Sequence, residues 1–292
     1  MSTLTDRKNL MTSAEMAHFV SHGAFVMEAV VPDELNQRAI AVLDAGIERH
    51  PYGTPLDTAF PTGTFVRELL DLPAVAGAVQ SLVGPAPAID HHAVHVRPPH
   101  GGEAQNMHGD AVLDTRTDAF DVQLMYYPRE VTLEQGGTLS VPGTHLRRIN
   151  ESSIGRYQNL AGQTRLTCPA GTVVLLHHGI WHGGRRNDSD HPRYMFKIRF
   201  NPTVRQLRLW NTDDIDDPQV RAELSTSFPW ATGVQGRLEL INRARLWRTL
   251  TGDADFDLDY YLTRETLRPQ FTAPGATDVR LGASTPASGW GL

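Results

Sequence analysis

The sequence predicts a mainly β protein with flanking helices, its centre an antiparallel sandwich or barrel over about residues 88–202. Two observations predict it. Short runs rich in Val, Ile, Tyr and Phe alternate there with Gly, Pro, Asn and Asp punctuation, and no helix-length segment separates them. On both sides of this block the apolar residues instead recur at helical spacing.

Taken in order, Thr12-Ser13 followed by Glu15 is a capping pattern, and Met16, Phe19 and Val20 give residues 12–22 a helical apolar face. Residues 24–31 are short, apolar and β-like. Pro32-Asp33 then opens a second helix to about Arg49, burying Leu35, Ile40, Leu43 and Ile47. Residues 64–83 read as helix with a break at Pro73. Strands are expected at 88–96, 112–114, 121–127, 138–141, 164–168, 172–176 and 194–200. Helical texture returns over 204–267, clearest at 220–224 and 238–250. With no internal repeat and no low-complexity linker, residues 1–270 read as one domain and 271–292, rich in Gly, Ala, Ser, Thr and Pro, as a loose tail.

Bulk composition narrows the class. Hydrophobic content of 40% and charged content of 21% are ordinary for a soluble enzyme. A net charge of -6 argues against a nucleic-acid partner, whose phosphates call for a basic surface. Cys168 stands alone, which excludes an intrachain disulfide and a cysteine-built zinc site and makes the cytoplasm the expected compartment. No apolar run approaches the ~18 residues of a membrane helix, and residues 1–11 lack a signal peptide's apolar region. A membrane partner is not expected.

Among thirteen histidines, His108-Gly109-Asp110 is the first metal candidate. Residues i and i+2 of a strand share a face, so an imidazole and a carboxylate converge from that spacing. A further histidine from a distant strand would complete two His and one carboxylate, which leaves positions open on an iron(II) ion. On the spacing alone, a histidine and an aspartate in a β-turn is the better reading. The second context is Gly171-Thr-Val-Val-Leu-Leu-His177-His178-Gly-Ile-Trp181-His182, continuing through Asn187 to Arg193.

There the sequence resembles the phytanoyl-CoA dioxygenase family of 2-oxoglutarate oxygenases. That family's distal metal histidine is followed by Asn five positions on and Arg eleven positions on, which His182, Asn187 and Arg193 match. The glycine-rich run Gly136-Gly137-Thr138 to His145 and the opening from Phe19 to Pro32 also look like the family, so the resemblance covers about residues 12–202. It implies a double-stranded β-helix (jelly-roll, cupin-like) core, with Fe(II) held by His108, Asp110 and His182. Of the neighbouring histidines, His177 and His178, one would line the cavity wall and one face solvent. Arg193 would bind the distal carboxylate of 2-oxoglutarate through its planar, always-charged fork. Tyr126 and Arg97 are candidates for completing that cosubstrate site.

The implied chemistry consumes O2 and 2-oxoglutarate, releases succinate and CO2, and hydroxylates an unactivated C–H; ascorbate enters as an optional reductant. Related halogenases carry a small residue where Asp110 stands, so hydroxylation, desaturation or ring-forming oxidation is expected here. One departure is Gly184, where the family often has Ser, which leaves the second cosubstrate anchor open. The expected substrate is a small or medium-sized metabolite, chosen by loops at 52–67, 115–118 and 150–161 and by C-terminal helices bearing Trp210, Trp230 and Trp247. Each Trp reads more readily as core than as cavity cover. A cupin-like metalloenzyme without 2-oxoglutarate and a non-catalytic binding protein are the alternatives. Oligomeric state is not legible.

Overall fold

The computed structural model describes residues 6–110, 116, 118–146 and 159–259. The strand expected at 112–114, most of the loop at 150–161 and the tail at 271–292 lie outside these residues.

A capping box at Thr12 and Glu15 starts α1 (Ser13–His22), and Gly23 ends it in a left-handed conformation. Then come β1 (Ala24–Met27), α2 (Asp33–Ala45), the single turn α3 (Leu56–Ala59), α4 (Phe65–Asp71) and α5 (Pro73–Val83). Pro73 breaks the long helix as expected, because it sits at the first turn of α5, where its missing N–H costs nothing.

The strands β2 (Ala88–Arg97), β3 (Val122–Tyr127), β4 (Thr138–Val141), β5 (Thr164–Leu166), β6 (Thr172–His177), β7 (Trp181–Gly184) and β8 (Arg193–Asn201) follow. They form two antiparallel sheets, a larger one ordered β1-β6-β3-β8-β2 and a smaller one ordered β5-β4-β7. The chain is a jelly roll with added helices. Strand β7 was not anticipated: Trp181-His-Gly-Gly carries no β-branched residue, and its pairing with β4 rather than propensity makes it a strand. In the C-terminal region α6 (Pro218–Leu224) and α7 (Gly233–Thr251) are helical, and much of the rest is irregular.

The central strands β3 and β6 of the larger sheet are buried on both faces, and side-chain parity separates the two faces. Leu124, Tyr126, Phe196, Ile198 and Phe200 join α1, α2, α4 and α5 in one core. Met125, Tyr127, Val174 and Leu176 face the smaller sheet in another. Trp210 and Trp247 belong to the helical core, their ring centroids 5.7 Å apart, so neither covers a cavity. The segment at 52–67 also lies on the helical side, where Phe60 packs edge-on against Phe196. It is not a cleft loop. No described helix is long and apolar enough to cross a membrane.

Candidate active site

Strand β7 places His182 between two neighbours. On one side it pairs with Ser140 of β4. On the other, His108 and His182 exchange backbone hydrogen bonds of 2.9 Å each way, and Gln105 N donates to Gly184 O at 2.8 Å. The segment carrying His108 thus extends the smaller sheet. The expected strand register does not continue to Asp110: only His108 forms a bridge, and the chain bends at Asp110. That bend still returns the carboxylate to the imidazoles.

His108, Asp110 and His182 each offer a ligand atom within 4.8 Å of the other two. His108 Nε2 lies 3.7 Å from Asp110 Oδ1, and His182 Nε2 lies 3.9 Å from Asp110 Oδ2. Both Nδ1 atoms are taken up by backbone carbonyls, His108 by Asn106 O at 2.8 Å and His182 by Ile180 O at 3.1 Å. An imidazole that donates from Nδ1 keeps its Nε2 lone pair free for a metal, and its ring orientation is fixed.

The protonation states suit ligation. Burial opposes charge on Asp110, but His182 and Lys197 more than offset it, Lys197 also through a hydrogen bond, and hold the carboxyl at about 2. Burial lowers His182 to about 4 in spite of Asp110. At neutral pH the carboxylate is ionised and the imidazole neutral.

The cluster opens into a cleft of about 490 Å³, mouth included, which Arg97, Tyr127, Arg193 and Lys197 also line. Arg193 is buried. Its guanidinium donates to the carbonyls of Gln135 and Gly137 and to Arg185 O at 3.0 Å, and to no carboxylate among the described residues. Burial lowers it to about 10, so it stays charged. Arg97 Nη1 donates to Glu103 O at 2.7 Å. A Cβ built on Gly184 would stand 2.9 Å from Gln105 Oε1 and 3.1 Å from Arg97 Nη2. The space a serine would enter is filled by these two side chains.

Tyr126, expected at this site, is elsewhere. It faces the helices and donates from its hydroxyl to Asn36 Oδ1 at 2.6 Å. Its neighbour Tyr127 has the opposite parity and lines the cleft, its hydroxyl 3.1 Å from Thr138 Oγ1. The expectation for His177 and His178 also fails, since neither faces solvent and neither lines the cleft. His177 stacks on Phe120 with centroids 4.9 Å apart, and His178 bonds the backbone of Asp121. Asn187 lies outside the cleft as a buried clamp: its Nδ2 donates to Arg97 O, Pro98 O and His191 O. Sequence reasoning missed Lys197, whose Nζ lies 2.9 Å from Asp110 Oδ2. Its signal was parity, since Arg193 and Lys197 fall on one face of β8.

A jelly roll whose cleft gathers two imidazoles, a carboxylate and a buried arginine fits the ligand set of a non-haem iron oxygenase. The chain belongs to the phytanoyl-CoA dioxygenase family, whose sequence profile matches residues 22–195. It is 26% identical over 164 residues to an L-proline trans-4-hydroxylase from Streptomyces griseoviridis, a match spanning 46% of this chain and only 61% of that relative. Among solved structures it is similar to HygX from Streptomyces hygroscopicus with nickel and 2-oxoglutarate bound. The TM-score is 0.53 at 18% identity, over 72% of this chain and 94% of HygX. A further HygX structure also holds hygromycin B. SnoK, a non-heme alpha ketoglutarate dependent carbocyclase from nogalamycin biosynthesis, is similar with a TM-score of 0.52 at 16% identity, over 73% of this chain and 91% of SnoK. At these identities the solved structures establish the shared fold.

Proposed function

We propose that the chain is an iron(II)- and 2-oxoglutarate-dependent oxygenase that hydroxylates an unactivated C–H bond of a small or medium-sized metabolite. The observation that carries this reading is the meeting of His108, Asp110 and His182 in one cleft with both Nδ1 atoms capped by carbonyls. Two imidazole nitrogens and one carboxylate suit Fe(II) and leave three positions open. When bound, the iron couples oxidation of 2-oxoglutarate by O2, giving succinate and CO2, to insertion of one oxygen atom into the substrate C–H.

The protein's own part is placement. Arg193 receives the distal carboxylate of 2-oxoglutarate; its three carbonyl partners hold the fork in one orientation and leave its charge uncompensated by any described carboxylate. Arg97 takes over from the missing serine, since its guanidinium occupies the space beside Gly184. Lys197 fixes Asp110. Membership of the family and the small molecules seen with HygX support a metabolite substrate.

The test is anaerobic titration with Fe(II) and 2-oxoglutarate, followed by the visible charge-transfer absorption of a chelated 2-oxo acid. The band is expected in the wild type and lost in His182→Ala. Iron binding without any band would remove 2-oxoglutarate from the reading.

A further inference from the structure

A second group of ligating side chains lies outside the cleft. His18 and His22 sit one helical turn apart at the C-terminal end of α1, on one face. Their rings stack with centroids 3.9 Å apart and planes 14° apart. Glu223, from α6, approaches the same face, its Oε2 3.0 Å from His18 Nδ1. Each of the three offers a ligand atom within 4.8 Å of the other two. All three are partly exposed, so an ion has access.

We propose that His18, His22 and Glu223 form a second divalent-metal site, of the zinc class, that staples α1 to α6. Two imidazoles and a carboxylate with water in the fourth position are a recurrent zinc ligand set. In a tetrahedral site with bonds of about 2.0–2.1 Å, neighbouring ligand atoms lie roughly 3.3 Å apart. The His18–Glu223 separation is already close to that, and side-chain rotation within 4.8 Å brings in the third.

The surroundings prepare the ligands. His22 Nδ1 faces the His18 carbonyl at 3.1 Å, which leaves Nε2 as its available ligand atom. Burial first, and then His18, lower the affinity of His22 for a proton, which favours the neutral, ligating form. The nearby cation Arg243 is matched by Glu239, to which it donates twice, so it does not neutralise Glu223. The two helices are already joined by their own contact: Ser21 Oγ donates to Glu223 O at 2.7 Å, tying α1 to the last turn of α6. The site is thus assembled on two docked helices, and it stands independently of the cleft chemistry.

The experiment uses the untagged full chain carrying Asp110→Ala and His182→Ala, which removes the cleft's own ligands. Equilibrium dialysis against zinc with metal analysis is expected to give one zinc per chain, and zinc is expected to raise the melting temperature. Adding His22→Ala or Glu223→Gln is expected to weaken zinc at least tenfold and abolish the thermal shift. Glu223→Gln retains an acceptor for His18, so it preserves the helix contact should His22→Ala fail to fold. No zinc retained by the double variant, or one zinc retained unchanged in the folded Glu223→Gln background, overturns the proposal.

Discussion

Lys197 Nζ stands 2.9 Å from Asp110 Oδ2, so the carboxylate between the two imidazoles is held by a cation from the opposite sheet. The same face of β8 carries Arg193 four residues earlier, roughly 13 Å along the strand at about 3.3 Å per residue. One strand therefore supplies a cation to the carboxylate and another to the far wall of the cleft. The partner face of that strand, Tyr194, Phe196, Ile198 and Phe200, is wholly committed to the helical core. Polar alternation in β8 marks a lined cleft, where in a solvent-facing sheet it would mark the surface.

Replacing Lys197 by Met keeps the aliphatic stem and deletes the charge. Asp110 then loses a hydrogen bond and a compensating cation, its pKa rises from about 2, and its orientation toward the imidazoles loosens. Loss of a partner to a ligating side chain costs about 10–100-fold in metal affinity, and that fall is expected in anaerobic Fe(II) titration. Unchanged affinity in a folded Lys197→Met protein would mean that the sheet alone positions Asp110.

Asn187 fastens the end of β2 to the turn that precedes β8, through the carbonyls of Arg97, Pro98 and His191. It is fully buried. Asn187→Ala removes this donor, although Pro98 O still accepts from Gly101 N and His191 O from Ser189 Oγ, so at about 1–3 kcal/mol for an unsatisfied buried group the expected loss is about 2 kcal/mol overall. Because Arg97 and Arg193 leave from the two strands it joins, 2-oxoglutarate binding is expected to weaken as well. Urea unfolding and a 2-oxoglutarate titration on the same sample check both, and a loss of stability with intact cosubstrate binding would separate the clamp from the cleft.

These placements show where the sequence was readable. The spacing from His182 to Asn187 to Arg193 survives folding because Asn187 fixes one turn geometry between β7 and β8, so residue counts translate into positions. Tyr126 against Tyr127 was harder. Two adjacent tyrosines in a strand buried on both faces differ only in parity, and hydrophobicity does not reveal which face is the cleft. Gln123, on the parity of Tyr127, was the available clue. Strand β7 was obscured because its backbone pairing, made with β4 and the His108 segment, is a tertiary fact. His177 and His178 were misread because the polarity of a histidine suggests exposure, whereas their rings stack in a buried aromatic group with Phe120 and His145.

Gly23 joins α1 to β1 at φ +76°, and a Cβ there would lie 2.4 Å from His145 Nδ1. Left-handed backbone costs a non-glycine residue roughly 1–2 kcal/mol, and forcing extra bulk into a packed interior typically adds 1–3 kcal/mol. His145 is buried and anchored by Nε2 to Val20 O, so it has little room to retreat. Gly23→Ala is expected to destabilise by about 3 kcal/mol in chemical denaturation. A change below about 1 kcal/mol would show that the His145 ring moves aside freely.

The same buried histidines make stability depend on pH. Burial lowers His145 to about 3, and burial followed by His178 and His145 places His177 well below its ordinary value. Both imidazoles are therefore neutral in the fold, whereas the unfolded chain takes up their protons near 6.5. Between those values the unfolded state binds more protons than the native one, so stability rises with pH. The contribution is complete above about 6.5 and is lost progressively as pH falls toward the folded values, at up to about 1.4 kcal/mol per pH unit for each group. Urea unfolding at pH 7, 6 and 5 is expected to show this decline. His177→Asn retains an acceptor for Gly179 N, which His177 Nδ1 accepts at 3.0 Å, but cannot titrate, so its decline is expected to be shallower by about one proton. Equal slopes in the two proteins would place the acid sensitivity elsewhere, in carboxylates such as Asp121 that pair with Arg116 and Arg199.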